Sequence, residues 1–174
     1  MRVLAIVVLG LLTAACGFQM RGQAKLPFET LYVAIPETSP MGIDLRRSIA
    51  AGTNTRLVNT PAQAQAILEL VSEERSKSIL SIDASGQVRE YLLHYRLAFR
   101  VRDARGREYL PRSEIRLSRD VSYSSTQVLS KESEEQLLYR DMQADMVQQI
   151  LHRLAGAPAE PIAFESGAKD AAPR

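Results

Sequence analysis

Glu90-Tyr91-Leu92-Leu93-His94-Tyr95-Arg96-Leu97-Ala98-Phe99-Arg100-Val101-Arg102 is the stretch that decides the fold. Tyr91, Leu93, Tyr95, Leu97, Phe99 and Val101 recur at every second position. Glu90, His94, Arg96, Arg100 and Arg102 fill the places between, with only Val88, Leu92 and Ala98 on their side. Successive side chains of a strand point to opposite faces, so a period of two kept over six apolar positions predicts a half-buried strand in an antiparallel sheet. Upstream, the turn residues Asp83-Ala84-Ser85-Gly86 join it to a strand-like run. That run is Ala66 to Ser72, with Ala66, Leu68 and Leu70 on one face and Ile67 and Val71 on the other, continued by Arg75 to Ile82; the alanines before it would also support a helical turn. Downstream, Asp103-Ala104-Arg105-Gly106 turns the chain into a further strand, Glu108 to Tyr123. There Tyr109, Ile115, Leu117, Val121 and Tyr123 face one way, and Arg112, Glu114, Arg116, Ser118, Asp120 and Ser122 the other. Pro111 cannot donate to a ladder and marks an edge or a bulge.

The flanks supply the second layer. Leu31, Val33 and Ile35 alternate with Tyr32 and Ala34 in a first strand from Thr30 that Pro36 stops. Ser39-Pro40 has the form of an N-cap and first helical residue, and Met41, Leu45 and Ile49 recur every fourth position, which predicts a helix over Pro40 to Ala51 with Gly52 at C′. Thr53 to Thr60 reads as a short strand or as loop. Ser124 to Lys131 reads as a polar loop, and Ser133 with Gln136 as a capping box opening a long helix. Its apolar stripe is Leu138, Met142, Met146, Val147, Ile150, Leu151 and Leu154, and Gly156 and Pro158 end it. A sheet with one apolar face and two amphipathic helices to cover it gives an α+β fold: a two-layer sandwich of a mostly antiparallel or mixed sheet with two helices packed on one face. The other, basic-polar face is left open.

The amino terminus decides where the protein works. Arg2 precedes an apolar run from Val3 to Leu12, then Thr13, Ala14, Ala15 and the single cysteine, Cys16. The run is too short to cross a bilayer, which takes about 20 residues, and reads as a secretory signal. Thr13-Ala14-Ala15 would suit ordinary signal peptidase and plain secretion. A lone thiol in an oxidising compartment has no disulfide partner, however, and directly after an Ala-Ala cut it resembles the acylated cysteine of the bacterial lipobox. Thr13 stands where that motif usually has leucine. The resemblance implies an N-acyl, S-diacylglycerol cysteine at Cys16, and Gly17 in place of aspartate implies sorting to the outer membrane. The organisation expected is a signal peptide over 1–15, a lipidated tether over 16–29, the α+β domain over 30–156 and a disordered tail over 157–174.

The net charge of +2 is too small to suggest nucleic-acid binding over the whole surface. The middle of the chain is locally basic, with nine arginines between Arg89 and Arg119 against four acidic residues. Those arginines either keep a wet sheet face soluble or present planar forks to phosphate. His94 and His152 have no second metal-type ligand at a suggestive spacing, no serine sits in Gly-x-Ser-x-Gly, and no glycine-rich loop opens a helix. Glu73-Glu74 and Glu134-Glu135 read as solvated surface. No metal, catalytic group or cofactor beyond the covalent lipid is expected, and no enzyme.

Cys16-Gly17-Phe18-Gln19-Met20-Arg21-Gly22, the strand Leu31-Tyr32-Val33-Ala34-Ile35, the hairpin from Ser81-Ile82 through Gly86-Gln87 to Glu90-Tyr91, and the closing helix together resemble the LPS-assembly lipoprotein LptE family, over Cys16 to about Leu154. Gln19 and Met20 stand where members often have His and Leu, and Ala84 where some carry a basic residue in the hairpin turn. Lys131 matches a second basic position of that kind. The resemblance implies a plug inside the LptD outer-membrane β-barrel that assists barrel assembly and lipopolysaccharide delivery, with Lys131 as a candidate lipopolysaccharide contact; the arginine-rich open sheet face adds Arg96 and Arg100 as candidates. An auxiliary periplasm-facing lipoprotein of another lipid transport system is the alternative.

Overall fold

The computed structural model describes residues 25–124 and 127–162. In chain order its elements are β1 (Thr30–Ala34), α1 (Pro40–Gly52), β2 (Arg56–Leu57), a single 3-10 turn (Pro61–Gln63), β3 (Ala66–Ile82), β4 (Val88–Arg102), β5 (Glu108–Ser122) and α2 (Val128–Ala155). The strands form one mixed sheet in the order β2-β1-β3-β4-β5, with β1 parallel to both neighbours and β3, β4 and β5 an antiparallel meander. Both helices bury their apolar stripes in one core on one side of it, which is the expected two-layer arrangement.

The β4 alternation holds. Leu93, Tyr95, Leu97, Phe99 and Val101 are fully buried in the core, while Arg96 and Arg100 are exposed on the opposite face. Full burial of one such aliphatic side chain stabilises by about 1.5–3 kcal/mol, so this strand anchors the sandwich. The two hairpin turns use the same chemistry. Asp83 Oδ1 accepts from the Ser85 and Gln87 amides, Asp103 Oδ1 from those of Arg105 and Arg107, and the fourth residue is a glycine at positive φ, Gly86 at 81° and Gly106 at 86°. Glycine alone enters that left-handed region without a Cβ penalty.

β3 is one long strand that changes face. Leu70 pairs with Phe99 and Ser72 with the next β4 residue, Ala98, leaving Val71 as an extra, bulged residue. Ahead of the bulge Ala66 and Leu68 point into the core; beyond it Glu73, Arg75 and Lys77 lie opposite Leu97, Tyr95 and Leu93, on the helix side. Pro111 is both at an edge, since β5 is the last strand, and beside a register shift.

Several boundaries differ from the sequence reading. α2 begins at Val128, so Lys131 lies in its first turn and not in a loop; Ser133 is inside the helix, its hydroxyl donating to the Leu129 carbonyl at 3.1 Å, and caps nothing. Side-chain ties to the sheet from Lys131 and Glu135 hold the early turns, and they span strands no local pattern connects. α1 opens as expected with the Ser39 hydroxyl accepting from the Gly42 amide, but Gly52 is its last residue, and Thr53 ends the helix with both its amide and hydroxyl on the Ile49 carbonyl. The core reaches beyond 30–156: Leu26 and Phe28 are buried, Phe28 edge-on to Tyr109 at 4.9 Å between ring centroids. Ala157 is buried too, and the Ile162 amide donates to the Glu108 carbonyl at 2.7 Å. The signal, Cys16 and the tether up to Ala24 lie outside the described residues, as do 163–174 of the expected tail.

Candidate functional site

A polar network ties both helices to the sheet. The Tyr95 hydroxyl donates to Glu73 Oε1 at 2.6 Å and accepts from Arg75 Nη2 at 3.0 Å. Arg75 also donates to Gln143 Oε1 on α2 at 2.7 Å, and Gln143 Nε2 donates to Asp44 Oδ2 on α1 at 2.6 Å. The guanidinium lies 4.5 Å from the Tyr95 ring centroid, within cation–π range. Burial first, then the Glu73 carboxylate, hold the Tyr95 phenol well above its usual range, so it acts here as a neutral hydrogen-bonding group.

Lys131 sits at the end of the sandwich near the β3–β4 hairpin. It lines a cleft of about 190 Å³ with Lys77, Tyr91, Val121, Tyr123 and Val128, walled by the edge-to-face pair Tyr91–Tyr123 at 5.4 Å. Its ammonium is occupied: it donates to Ser122 Oγ and to Glu134 Oε2, both at 2.7 Å, and the side chain is 19% exposed. Lys77 is paired with Glu135 at 2.8 Å, a contact that raises its pKa. Glu132 and Glu135 also line the cleft, so an anionic ligand would meet these carboxylates as well as the lysines.

The other two predicted site residues lie on the opposite sheet face and behave differently from one another. Arg100 Nε donates to Glu69 Oε2 at 2.7 Å, and Arg102 shares the same carboxylate. Hydrogen bonding from Arg102, reinforced by Arg100, holds the Glu69 carboxyl below its ordinary range. Arg96 is exposed and, among the described residues, forms no ion pair within 4 Å; it stands between Glu74 on β3 and Arg116 on β5. Arg96 and Arg100 are therefore not one site with Lys131. The sequence reading also passed over the apolar approach to the hairpin tip, where Ile79, Leu80 and Ile82 are exposed. Three large aliphatics within four residues of a turn were the available signal.

Among the described residues no three His, Cys, Asp or Glu side chains are placed to hold a metal ion, and no helix is long and apolar enough to cross a membrane. His94 shares a hydrogen bond with Ser78 at 3.0 Å.

Residues 28–154 match the sequence model of the family LptE, described as lipopolysaccharide-assembly. An LPS-assembly lipoprotein LptE from Photorhabdus laumondii subsp. laumondii is 24% identical over 147 residues, covering 83% of this chain and 79% of that protein. Among solved structures, lipoprotein B from Nitrosomonas europaea is 43% identical with a TM-score of 0.70, covering 80% of this chain and 91% of that one. The rare lipoprotein B from Shewanella oneidensis is 25% identical with a TM-score of 0.64, covering 73% of this chain and 94% of its own.

Proposed function

The chain belongs to the LptE lipopolysaccharide-assembly family, matched from the approach to β1 to the last turn of α2, and on that premise we propose how it serves that role. It is anchored through acylated Cys16 in the outer membrane, facing the periplasm, and seats as a plug in the lumen of an LptD-type β-barrel. There it helps the barrel assemble and binds lipopolysaccharide on its way to the outer leaflet. The role in lipopolysaccharide assembly is non-enzymatic.

The observation that carries this reading is that the family match spans the whole sheet and both helices, not one motif within them. The physical character of the domain supports the plug. A barrel lumen is polar and wet, so a body seated in it needs a compact core and a charged exterior. The outer sheet face supplies that exterior, with Glu69, Glu74, Arg96, Arg100, Glu114 and Arg116 on three strands. Lipid contact through Lys131 requires its ammonium to exchange Glu134 and Ser122 for phosphate, an exchange between charge-assisted hydrogen bonds of similar strength.

The test is purification of the full-length chain from detergent-extracted outer membranes, with mass identification of whatever travels with it. A β-barrel recovered in equal amount, and lost when the outer membrane is stripped of that barrel, supports the plug. Recovery with a soluble or inner-membrane transport component instead would favour an auxiliary lipoprotein of another lipid transport system.

A further inference from the structure

The outer sheet face carries a like-charge pair of which the protein itself neutralises only one member. Arg96 on β4 and Arg116 on β5 are direct cross-strand partners. Opposed like charges at that spacing, Cβ atoms about 5 Å apart, destabilise a sheet unless something of opposite sign lies between them. The acidic neighbours are Glu114 and Glu74. Glu114 grips Arg116 with two bonds, 2.7 Å from Nε and 2.9 Å from Nη2, and is therefore already committed. Glu74 faces Arg96 from β3 but comes no closer than 4 Å to it. Arg112 is the third cation of the group: with Arg116 foremost, then Arg96, it holds the Glu114 carboxyl below its ordinary range. Neither Arg96 nor Arg112 has a carboxylate within 4 Å among the described residues. The next arginines along β4 differ, because Arg100 and Arg102 share Glu69.

From this imbalance we infer that Arg96, Arg112 and Arg116 form a phosphate-binding patch on the open sheet face, occupied by the phosphate groups of lipopolysaccharide. The inference rests on the proposed lipopolysaccharide role and assigns its charge recognition to a surface separate from Lys131. Planar guanidinium forks on neighbouring strands can hold one phosphate from two sides, which a single lysine cannot do. Glu114 acts as the internal competitor: a bound phosphate takes over part of its hold on Arg116. Arg100 is set apart by position: the β4–β5 register slips there, so no β5 arginine opposes it, and it shares Glu69 with Arg102.

The test is a titration of the full-length chain in mild detergent with purified lipopolysaccharide, with the same lipopolysaccharide after phosphatase treatment, and with phosphatidylglycerol vesicles. The triple variant Arg96→Gln, Arg112→Gln, Arg116→Gln is expected to weaken lipopolysaccharide binding at least about tenfold, the loss of one or two charge-assisted bonds. Arg100→Gln should stay within about twofold of wild type. Glu114→Gln frees Arg116 and should tighten binding by a few-fold, a gain that no simple loss of structure would give and that decides the matter if the triple variant fails to fold. Wild-type affinity in the triple variant, or unchanged affinity in Glu114→Gln, would overturn the patch while leaving the lipopolysaccharide role standing. Equal binding of the dephosphorylated lipid or of phosphatidylglycerol would overturn phosphate recognition specific to lipopolysaccharide. No binding of lipopolysaccharide by wild type would remove the role and the patch together.

Discussion

Arg75→Met removes the centre of the network that joins the sheet to both helices. The variant keeps much of the apolar stem but loses the bonds to Tyr95 at 3.0 Å and Gln143 at 2.7 Å, and the cation–π contact at 4.5 Å. Hydrogen bonds to a charged group contribute about 1.5–3 kcal/mol and the ring contact about 0.5–1 kcal/mol. The Arg75 side chain is 39% exposed, so solvent screening cuts the sum, and a net cost of about 2 kcal/mol is expected. For a domain of this size that is a fall in Tm of roughly 8 °C. The assay is thermal unfolding by circular dichroism of the chain in detergent, run as a cycle with Gln143→Leu and the double variant. Because Gln143 is buried and passes the contact on to Asp44, the two sites should couple by about 1 kcal/mol. Arg47→Met, at a largely exposed ion pair, should change stability by less than about 0.5 kcal/mol. A coupling within about 0.3 kcal/mol of zero would refute the claim that Arg75 holds the helices through Gln143.

Cys16→Ala should abolish incorporation of labelled fatty acid and leave either a precursor retaining 1–15 or a misrouted soluble form; uptake of label by the variant would rule out lipidation at this sulfur. Leu97→Asp, placing a carboxylate at a fully buried position, should cost several kcal/mol of a total near 5–15 kcal/mol, whereas Arg96→Asp next door should be far milder. Equal falls in Tm for the two would contradict the face assignment of β4. Glu69→Gln tests the pH dependence. Because the folded carboxyl is held below its unfolded value, its stabilisation is present above the ordinary glutamate range, near 4.3, and is lost as pH falls through the lower folded value. Melting at pH 7 and pH 3 should therefore show a smaller acid-induced fall in the variant than in wild type.

What was legible in the sequence was what depends on neighbours in the chain. The alternation of β4, the Met41, Leu45, Ile49 stripe of α1 and the two Asp-x-x-Gly turns are local patterns, and each gave the right element with the right face inward. β3 resisted because a single extra residue, Val71, reverses its phase, and only pairing with Phe99 and Ala98 reveals the slip. Leu26 and Phe28 looked like tether because two apolar residues beside Pro27 have no period; Tyr109, far along the chain, makes Phe28 core. The candidate site was least legible for the same reason. The availability of a cation depends on partners such as Glu69, 31 residues from Arg100, and Ser122, 9 residues from Lys131 and on another element. A count of arginines could mark the face as basic, but only the cross-strand register shows that Arg96 and Arg116 oppose each other while Arg100 has no opposing β5 residue.

Depletion of this chain in its own cells, followed by measurement of lipopolysaccharide exposed at the cell surface, tests the central claim most directly. Surface lipopolysaccharide should fall, with the missing material retained inward of the outer leaflet, and recover when the wild-type chain is restored but not when Cys16→Ala is. Unchanged surface lipopolysaccharide after full depletion would contradict a role in lipopolysaccharide assembly.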